Sequence, residues 1–367
     1  MKTYRLGLIG YAHAHVLGNA RSFNKLEGRV TWVAASDVKP FVEPISDKPG
    51  TRPSNISRTN EELGITDDQY YGYDYLTMLD ENEFDIILVN CENVFHAEVC
   101  EEILKRDIHV VLEKPLATDW ADSRRIERAA QASKAEVFLN YPSSWWSHIR
   151  KAHELVQDGV IGDVLKITYR NLDSQGPFSY GQGLTEEEMA MEWWYQRKAG
   201  GGAFYDYCCY GANVVSWFLP EEPQAAYGLK GNYQSHFGDV DDYATITVQY
   251  PNSVAIIEGS WVTKSSGVPH GPVIYGTEGT LVVTLDGKVE VYLQRHHEAP
   301  DHVYEGGTLP EGRETLGAEV INHLDTGEPV HPTLTLELNM RTMQILDAGM
   351  RSTESGKLEQ VNNNVYN

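Results

Sequence analysis

Lys114 stands where a short apolar run stops. Val110, Val111 and Leu112 read as a buried strand, and Glu113-Lys114-Pro115 ends it, because proline cannot continue a sheet ladder. A lysine at the carboxyl end of a strand in an open α/β sheet lies on the edge where such sheets bind ligands. There it supplies a positive charge and three hydrogen-bond donors. A lone Lys-Pro is usually a surface turn, so the weight rests on its company. Asp206 and Tyr210 lie four residues apart in a helical stretch entered through Gly200-Gly201-Gly202. That spacing puts a carboxylate and a phenol on one helix face.

The elements that must position these groups begin with a βαβ pattern. Tyr4 to Gly10 reads as a strand, Ala14 to Leu26 as a helix, and Val30 to Ser36 as a second strand ending at Asp37. Gly10, Tyr11, Ala12 and His13 form the turn expected to face a dinucleotide pyrophosphate. Ala12 stands where the fingerprint has its second glycine and His15 where it has the third. Asp37 is placed to accept hydrogen bonds from an adenosine ribose, which favours NAD over NADP, and Lys39 softens that preference. His13 and His15 invite a metal reading, but two residues apart on a helix they would face different directions. They are read as phosphate-side or capping residues.

Phe41 to Asp68 is a polar excursion around a short helix, with a further helical pattern to Leu79. Phe84 to Asn90 is a strand buried on both faces, with Glu92, Asn93 and His96 just beyond its end. A helix to Arg106, a strand at 108–112, a helix at 119–133 and a strand at 136–140 follow. Such alternation predicts a doubly wound parallel sheet over residues 1–141. The second half, 142–367, changes texture. A helix at 147–158 precedes a strand series beginning at 162–173 and continuing at 243–250, 253–262, 272–276, 280–285 and 288–293. Pro-Asn, Thr-Glu-Gly and Asp-Gly turns join them, so this sheet is predicted to be predominantly antiparallel. A helical insertion at 185–219 interrupts the series, and a helix at 333–354 closes it.

At 367 residues the chain is long for one core, which fits two domains. A net charge of −23 disfavours nucleic acid and anionic membranes as partners. No run approaches a transmembrane span, and the start enters a strand directly, so a cytoplasmic location is expected. The four cysteines include no Cys-x-x-Cys pair, so neither a zinc motif nor a disulfide framework is read. Asp239, Asp241 and Asp242 are read as a solvated turn, and no metal site is assigned. Cys208 and Cys209 are taken as buried fillers.

Glu113-Lys114-Pro115, Asn93 with His96, Gly159 to Gly162, the triple glycine followed by Asp206, Gly276 to Thr280 and Ser355-Gly356 together resemble the Gfo/Idh/MocA oxidoreductase family. The likeness runs along nearly the whole chain. It implies an N-terminal Rossmann domain and a C-terminal α+β domain on an open-faced sheet. It also implies a cofactor site of Gly10, Tyr11, Ala12, His13, Asp37, Glu92, Asn93, His96, Glu113 and Lys114, and a catalytic group of Lys114, Asp206 and Tyr210. Many family members carry histidine where this chain has Tyr210, and Asn213 replaces a frequent acid. Tyrosine there resembles the subset that includes glucose-fructose oxidoreductase and dimeric dihydrodiol dehydrogenase.

A free phenol is a poor base at neutral pH, but an adjacent Lys114 ammonium is expected to favour the phenolate and lower its pKa. Asp206 would orient Lys114 or bind a sugar hydroxyl. Trp145 and Trp194 are candidates for stacking on a sugar face, and Arg197 for reaching a hydroxyl or carboxylate. The expected activity is NAD(P)-dependent oxidation of a secondary alcohol on a sugar, sugar derivative or cyclitol. Two rivals stand beside it: a glycosidase using transient internal redox, and a cofactor-less sugar-binding regulator. A homodimer or homotetramer is implied by the resemblance.

Overall fold

Two sheets carry the chain, one parallel and one mostly antiparallel. The computed structural model describes residues 2–172, 175–295 and 299–361. The first sheet is built from β1 (Tyr4–Ile9), α1 (Val16–Asn24), β2 (Val30–Ser36), α2 (Arg52–Leu63), α3 (Tyr75–Glu81), β3 (Ile86–Val89), α4 (His96–Leu104), β4 (His109–Glu113), α5 (Trp120–Ala132) and β5 (Val137–Asn140). Its strands run parallel in the order β2-β1-β3-β4-β5. Helices cover both faces, so every residue of β3 and β5 is buried, and continuous apolar runs follow. The strand order reverses direction between β1 and β3, which opens a crevice beyond their carboxyl ends.

The second half contains α6 (Ser147–Gln157), β6 (Val164–Asn171), α7 (Gly176–Tyr180), α8 (Glu186–Ala190), α9 (Ala203–Phe218), β7 (Ala225–Gly231), β8 (Tyr243–Gln249) and β9 (Val254–Ser260). It continues with β10 (Val273–Gly276), β11 (Thr280–Val283), β12 (Lys288–Tyr292), β13 (His302–Glu305), α10 (Leu316–Thr326), α11 (Leu336–Ser355) and β14 (Glu359–Gln360). The nine strands lie in the order β13-β12-β11-β10-β6-β9-β8-β7-β14. Every pair but β6–β9 is antiparallel. α9 packs on one face of this sheet and is buried along nearly its whole length, which explains its apolar and aromatic composition.

The expected strand at 162–173 ends earlier, at Asn171, and Asp173 lies outside the described residues. Five elements were not anticipated: α7, β7, β13, β14 and α10. The last is informative. Thr315 caps α10 by accepting from the Ala318 amide, and Gly327 ends it in the left-handed region. It packs against α1 rather than the second sheet, with Tyr4 OH donating to Asp325 at 2.9 Å. A division at residue 141 therefore separates the two sheets, yet a helix from the second half completes the first layer.

Candidate active site

Lys114 follows the last residue of β4 and points into the interface with α9. It is 1% exposed, and its ammonium pairs with the Asp206 carboxylate and donates to the Asp206 carbonyl at 3.1 Å. The other Asp206 oxygen accepts from Trp261 Nε1 at 2.9 Å. Burial pushes the Lys114 pKa down, but the Asp206 carboxylate outweighs it and holds the group above the ordinary lysine range. The ammonium is therefore permanent at neutral pH. The triple glycine sets this geometry. A Cβ at Gly201 would stand 2.1 Å from the Trp194 carbonyl oxygen, so only glycine lets the chain pass into α9. Asp241 then fixes the helix entry by accepting from the Phe204 amide at 2.7 Å.

Tyr210 lies one turn beyond Asp206 on the same face, as the spacing predicts, and its ring centroid is 5.1 Å from the Lys114 ammonium. The expected phenolate does not follow. Burial raises the Tyr210 pKa well above its ordinary value, and Glu113, Cys209 and Asp206 raise it further. The reason is geometric: Lys114 sits over the ring and spends its charge on Asp206. Tyr210 is a neutral phenol. A second phenol, Tyr180 of α7, interacts electrostatically with Asp206, Lys114 and Glu113, and its pKa is also raised, chiefly by burial. Sequence reasoning missed Tyr180, because nothing local marks a residue that arrives on an insertion.

On the other side of the β4 end, Glu113 is 1% exposed. His15 Nδ1 lies 3.1 Å from its Oε1, and Asn19 Nδ2 donates to its Oε2 at 2.9 Å. His13 and His15 are not on a helix, since α1 begins at Val16, and their ring centroids are 4.1 Å apart. The angular argument against their meeting therefore fails, and His15 makes no side-chain cap. Ligand atoms of His13, His15 and Glu113 lie within 4.8 Å of one another. The His15 amide donates to His13 Nδ1 at 3.1 Å, which places the proton of a neutral His13 ring on Nε2.

The nucleotide end of the crevice lies at β1, β2 and β3. Gly10 has φ +95°, and a Cβ there would stand 2.2 Å from the Cys91 amide nitrogen. Asp37 is fully buried; its Oδ1 accepts from the Tyr11 amide at 3.2 Å and the Val38 amide at 2.8 Å. Arg52, not the exposed Lys39, is the cation beside it, 3.5 Å from Oδ2 and 2.5 Å from Glu92. Arg52 was not anticipated, because it stands in a polar excursion that reads as surface. Burial raises the Asp37 pKa to about 6, with Arg52 opposing the rise and Glu92 adding to it. Asp37 Oδ2, Glu92 Oε1 and Asn93 Oδ1 are buried without a hydrogen-bond partner, while Arg52 Nη2 and Glu92 Oε2 pair with each other. Such acceptors are what the hydroxyls of a ribose satisfy, so these residues fit a dinucleotide.

The remaining expected residues divide. Asn93 is held by the Gly200 carbonyl at 2.8 Å, and His96 Nδ1 by the Pro115 carbonyl at 2.9 Å, so both brace the wall between the domains. Trp194 is 2% exposed and lies edge-on to His13, with centroids 4.6 Å apart; it covers the loop instead of facing open space. Trp193 Nε1 donates to the Ala12 carbonyl at 2.7 Å and closes the loop further. Trp145 lines a cavity of about 390 Å³ with Asn19 and Asn140, the two amides that donate to Glu113. Arg197 is exposed on a different surface beside Thr118, Asp119 and Tyr205, and does not join the group around Lys114. Asp241 and Asp242 are buried helix and turn anchors, where a solvated turn was expected. Asn213 ties α9 to the start of α11 through the Thr333 carbonyl.

Residues 6–141 match the model of an oxidoreductase family with an NAD-binding Rossmann fold, and residues 149–282 match the GFO/IDH/MocA C-terminal domain. An uncharacterized oxidoreductase of Streptococcus pneumoniae serotype 4 is 24% identical, over 83% of this chain and 82% of its own. A 2,7-anhydro-N-acetylneuraminate hydratase of Mediterraneibacter gnavus is 24% identical over 66% and 64%. The levoglucosan dehydrogenase of Pseudarthrobacter phenanthrenivorans is 22% identical over 70% and 72%. Among solved structures, the WlbA dehydrogenase of Bordetella pertussis in complex with NADH and UDP-GlcNAcA superposes with a TM-score of 0.75. It is 17% identical, and the match covers 99% of this chain and 100% of the other.

Proposed function

Because the chain belongs to the Gfo/Idh/MocA oxidoreductase family, we propose that it transfers a hydride between nicotinamide and a secondary alcohol of a sugar, sugar derivative or cyclitol. The observation that carries the reading is the buried Lys114–Asp206 pair at the carboxyl end of β4. NAD, when bound, supplies the hydride acceptor at its nicotinamide ring. Asp37 and Glu92 would hold the adenosine ribose, and the backbone from Gly10 to His13 the pyrophosphate. A buried carboxylate at Asp37 disfavours a 2′-phosphate, so NAD is preferred to NADP.

The chain's own residues do the rest. Asp206, pinned by Trp261, fixes the Lys114 ammonium so that one of its protons is aimed at the substrate oxygen. That charge stabilises the alkoxide character that develops as the C–H bond weakens. Tyr210 adds a neutral O–H donor. Tyr180 and Trp261 help to exclude water, which strengthens each of these interactions. The test is titration of the purified protein with NAD and NADP, then a polyol and aldose screen for NADH formation. Micromolar NAD binding with turnover of a polyol supports the reading; no binding of either nucleotide would sink it.

A second reading, transient internal redox without net NADH release, is supported by two features. One is the hydratase relative. The other is the Trp193–Trp194 cover over the loop, which would slow cofactor exchange. Cofactor that co-purifies and resists exchange would favour it. The outward face of the second sheet exposes Tyr227, Leu229, Val254, Tyr275 and Val303. An apolar surface of that kind supports a homodimer or homotetramer, read directly by light scattering. A cytoplasmic setting accords with the buried free cysteines, and no helix among the described residues is long and apolar enough to cross a membrane.

A further inference from the structure

A dinucleotide crevice chooses its cofactor where the second strand ends. An acid there takes ribose hydroxyls, and an arginine nearby takes a 2′-phosphate. This chain holds both. Asp37, at the end of β2, is fully buried, and its Oδ2 has no hydrogen-bond partner. Arg52, the first residue of α2, is 3% exposed, and its Nη1 stands 3.5 Å from that same oxygen. We propose that Glu92 is the specificity-determining residue of the cofactor site: by claiming the Arg52 guanidinium it denies a 2′-phosphate its receptor and fixes the site for NAD. The inference rests on the nicotinamide-dependent reading and places its cofactor preference on a residue other than Asp37 alone.

Arg52 is pinned at both ends of its guanidinium. Nη1 donates to the Val38 carbonyl at 2.8 Å, and Nη2 pairs with Glu92 Oε2 at 2.5 Å. Glu92 lies just beyond β3 and is buried, and its other oxygen, Oε1, has no hydrogen-bond partner. One guanidinium is thus held between two carboxylates that arrive from different strand ends. Two negative charges against one positive leave this end of the crevice net negative, and burial limits screening by solvent. A phosphate added there meets that excess charge. Two ribose hydroxyls do not, because Asp37 Oδ2 and Glu92 Oε1 are acceptors without donors.

Two other charged residues stand nearby, and neither does the same work. Glu192, brought by the second half, is buried and lines the same small pocket as Arg52 and Glu92. It accepts from the Arg52 backbone amide, so its bond anchors the start of α2 and leaves the guanidinium to Glu92. Lys39, two residues beyond Asp37, is exposed, and solvent screens its charge. Arg52 is the cation that is both buried and beside the unpartnered Asp37 oxygen.

The site is therefore one charge away from accepting the other cofactor. Glu92→Gln keeps the length of the side chain and removes its charge. The ion pair becomes a neutral hydrogen bond, and the guanidinium fork is left to a phosphate, the anion it matches best.

Isothermal titration of the full-length protein reads this without any hydride chemistry. NAD is compared with NADP, and AMP with adenosine 2′,5′-bisphosphate, which differs from it only by the 2′-phosphate. Wild type should favour NAD and AMP. Glu92→Gln should bind NADP and the bisphosphate about 10-fold or more tighter than wild type does, and Glu92→Ala is measured beside it so that the result does not hang on one variant's folding. Adding Arg52→Met to Glu92→Gln should cancel the gain, and adding Lys39→Ala should keep it. Unchanged NADP affinity in folded Glu92 variants, with NAD still bound by wild type, overturns the inference alone. A gain that disappears with Lys39→Ala also overturns it, since Lys39 would then be the receptor. A wild-type protein that binds none of the four nucleotides removes the nicotinamide reading and this inference with it. NAD binding without turnover of any polyol removes only the substrate assignment, and the titrations still decide the role of Glu92.

Discussion

At the β4 end of the first sheet, Lys114, Asp206 and Glu113 each have their polar partners within the protein. At the β2 end, Asp37 Oδ2 and Glu92 Oε1 are equally buried and lack a hydrogen-bond partner, although Arg52 lies beside both residues. A buried polar group left unpaired costs about 1–3 kcal/mol, so the β2 end stands to gain from a hydroxylated ligand. At the β4 end the charged groups are already paired and aimed, and the unpartnered atoms are ring nitrogens of His13 and His96. The difference separates two tasks. One region is preorganised for a reaction, and the other is completed by binding.

If that division is right, mutations at the two ends should fail differently. Lys114→Met should lower kcat by about 10³-fold or more while NAD affinity changes little. It should also lower Tm, because Asp206 is left buried without its counterion. Asp37→Asn should do the converse, weakening NAD binding by about 10- to 100-fold with kcat nearly intact at saturating NAD, as isothermal titration and initial rates would show. A large kcat loss in Asp37→Asn at saturation would break the comparison.

The pH dependence sharpens it. Asp37 has a pKa of about 6, raised mainly by burial. With ionised Asp37 as the proposed ribose acceptor, NAD affinity should fall as pH drops through about 6. The ligand-free protein should show the opposite trend from this group. A carboxyl whose folded pKa is raised binds its proton more tightly when folded, so its contribution to stability is lost as pH rises from its ordinary value to about 6. Comparing Tm against pH for wild type and Asp37→Asn isolates that slope.

Tyr210→Phe should lower kcat by about tenfold and leave its pH profile in place, because a neutral phenol donates a hydrogen bond and does not titrate in the working range. A lost basic limb in the profile would restore the phenolate. The smallest effect belongs to Trp193→Phe. It removes one bond to the Ala12 carbonyl, worth about 1 kcal/mol, and should speed NAD release severalfold with kcat for chemistry unchanged in single-turnover measurements.

Much of the fold was legible in local pattern. Strands buried on both faces read as apolar runs, and Glu113-Lys114-Pro115 and the triple glycine marked where backbone geometry is narrow. α10 escaped because a short helix with apolar residues at Leu316, Val320 and Ile321 is ambiguous without its neighbour, and that neighbour, α1, is distant in sequence. Arg52, Tyr180, Trp261 and the His15–Glu113 contact were hidden for the same reason.

The sequence by itself therefore determined which groups exist and which share a face: Asp206 with Tyr210 through the helical period, and Lys114 at a strand end through proline. Their protonation states were decided only by tertiary structure. The field at a titratable group depends on burial and on charges brought from other elements. Lys114 and Tyr210 meet, as the motifs imply, but Lys114 lies over the ring and is claimed by Asp206, so the phenol stays neutral. His13 and His15, set aside on helical geometry, meet each other before α1 and reach Glu113 on β4. No spacing rule contains that contact, because β4 arrives from distant sequence.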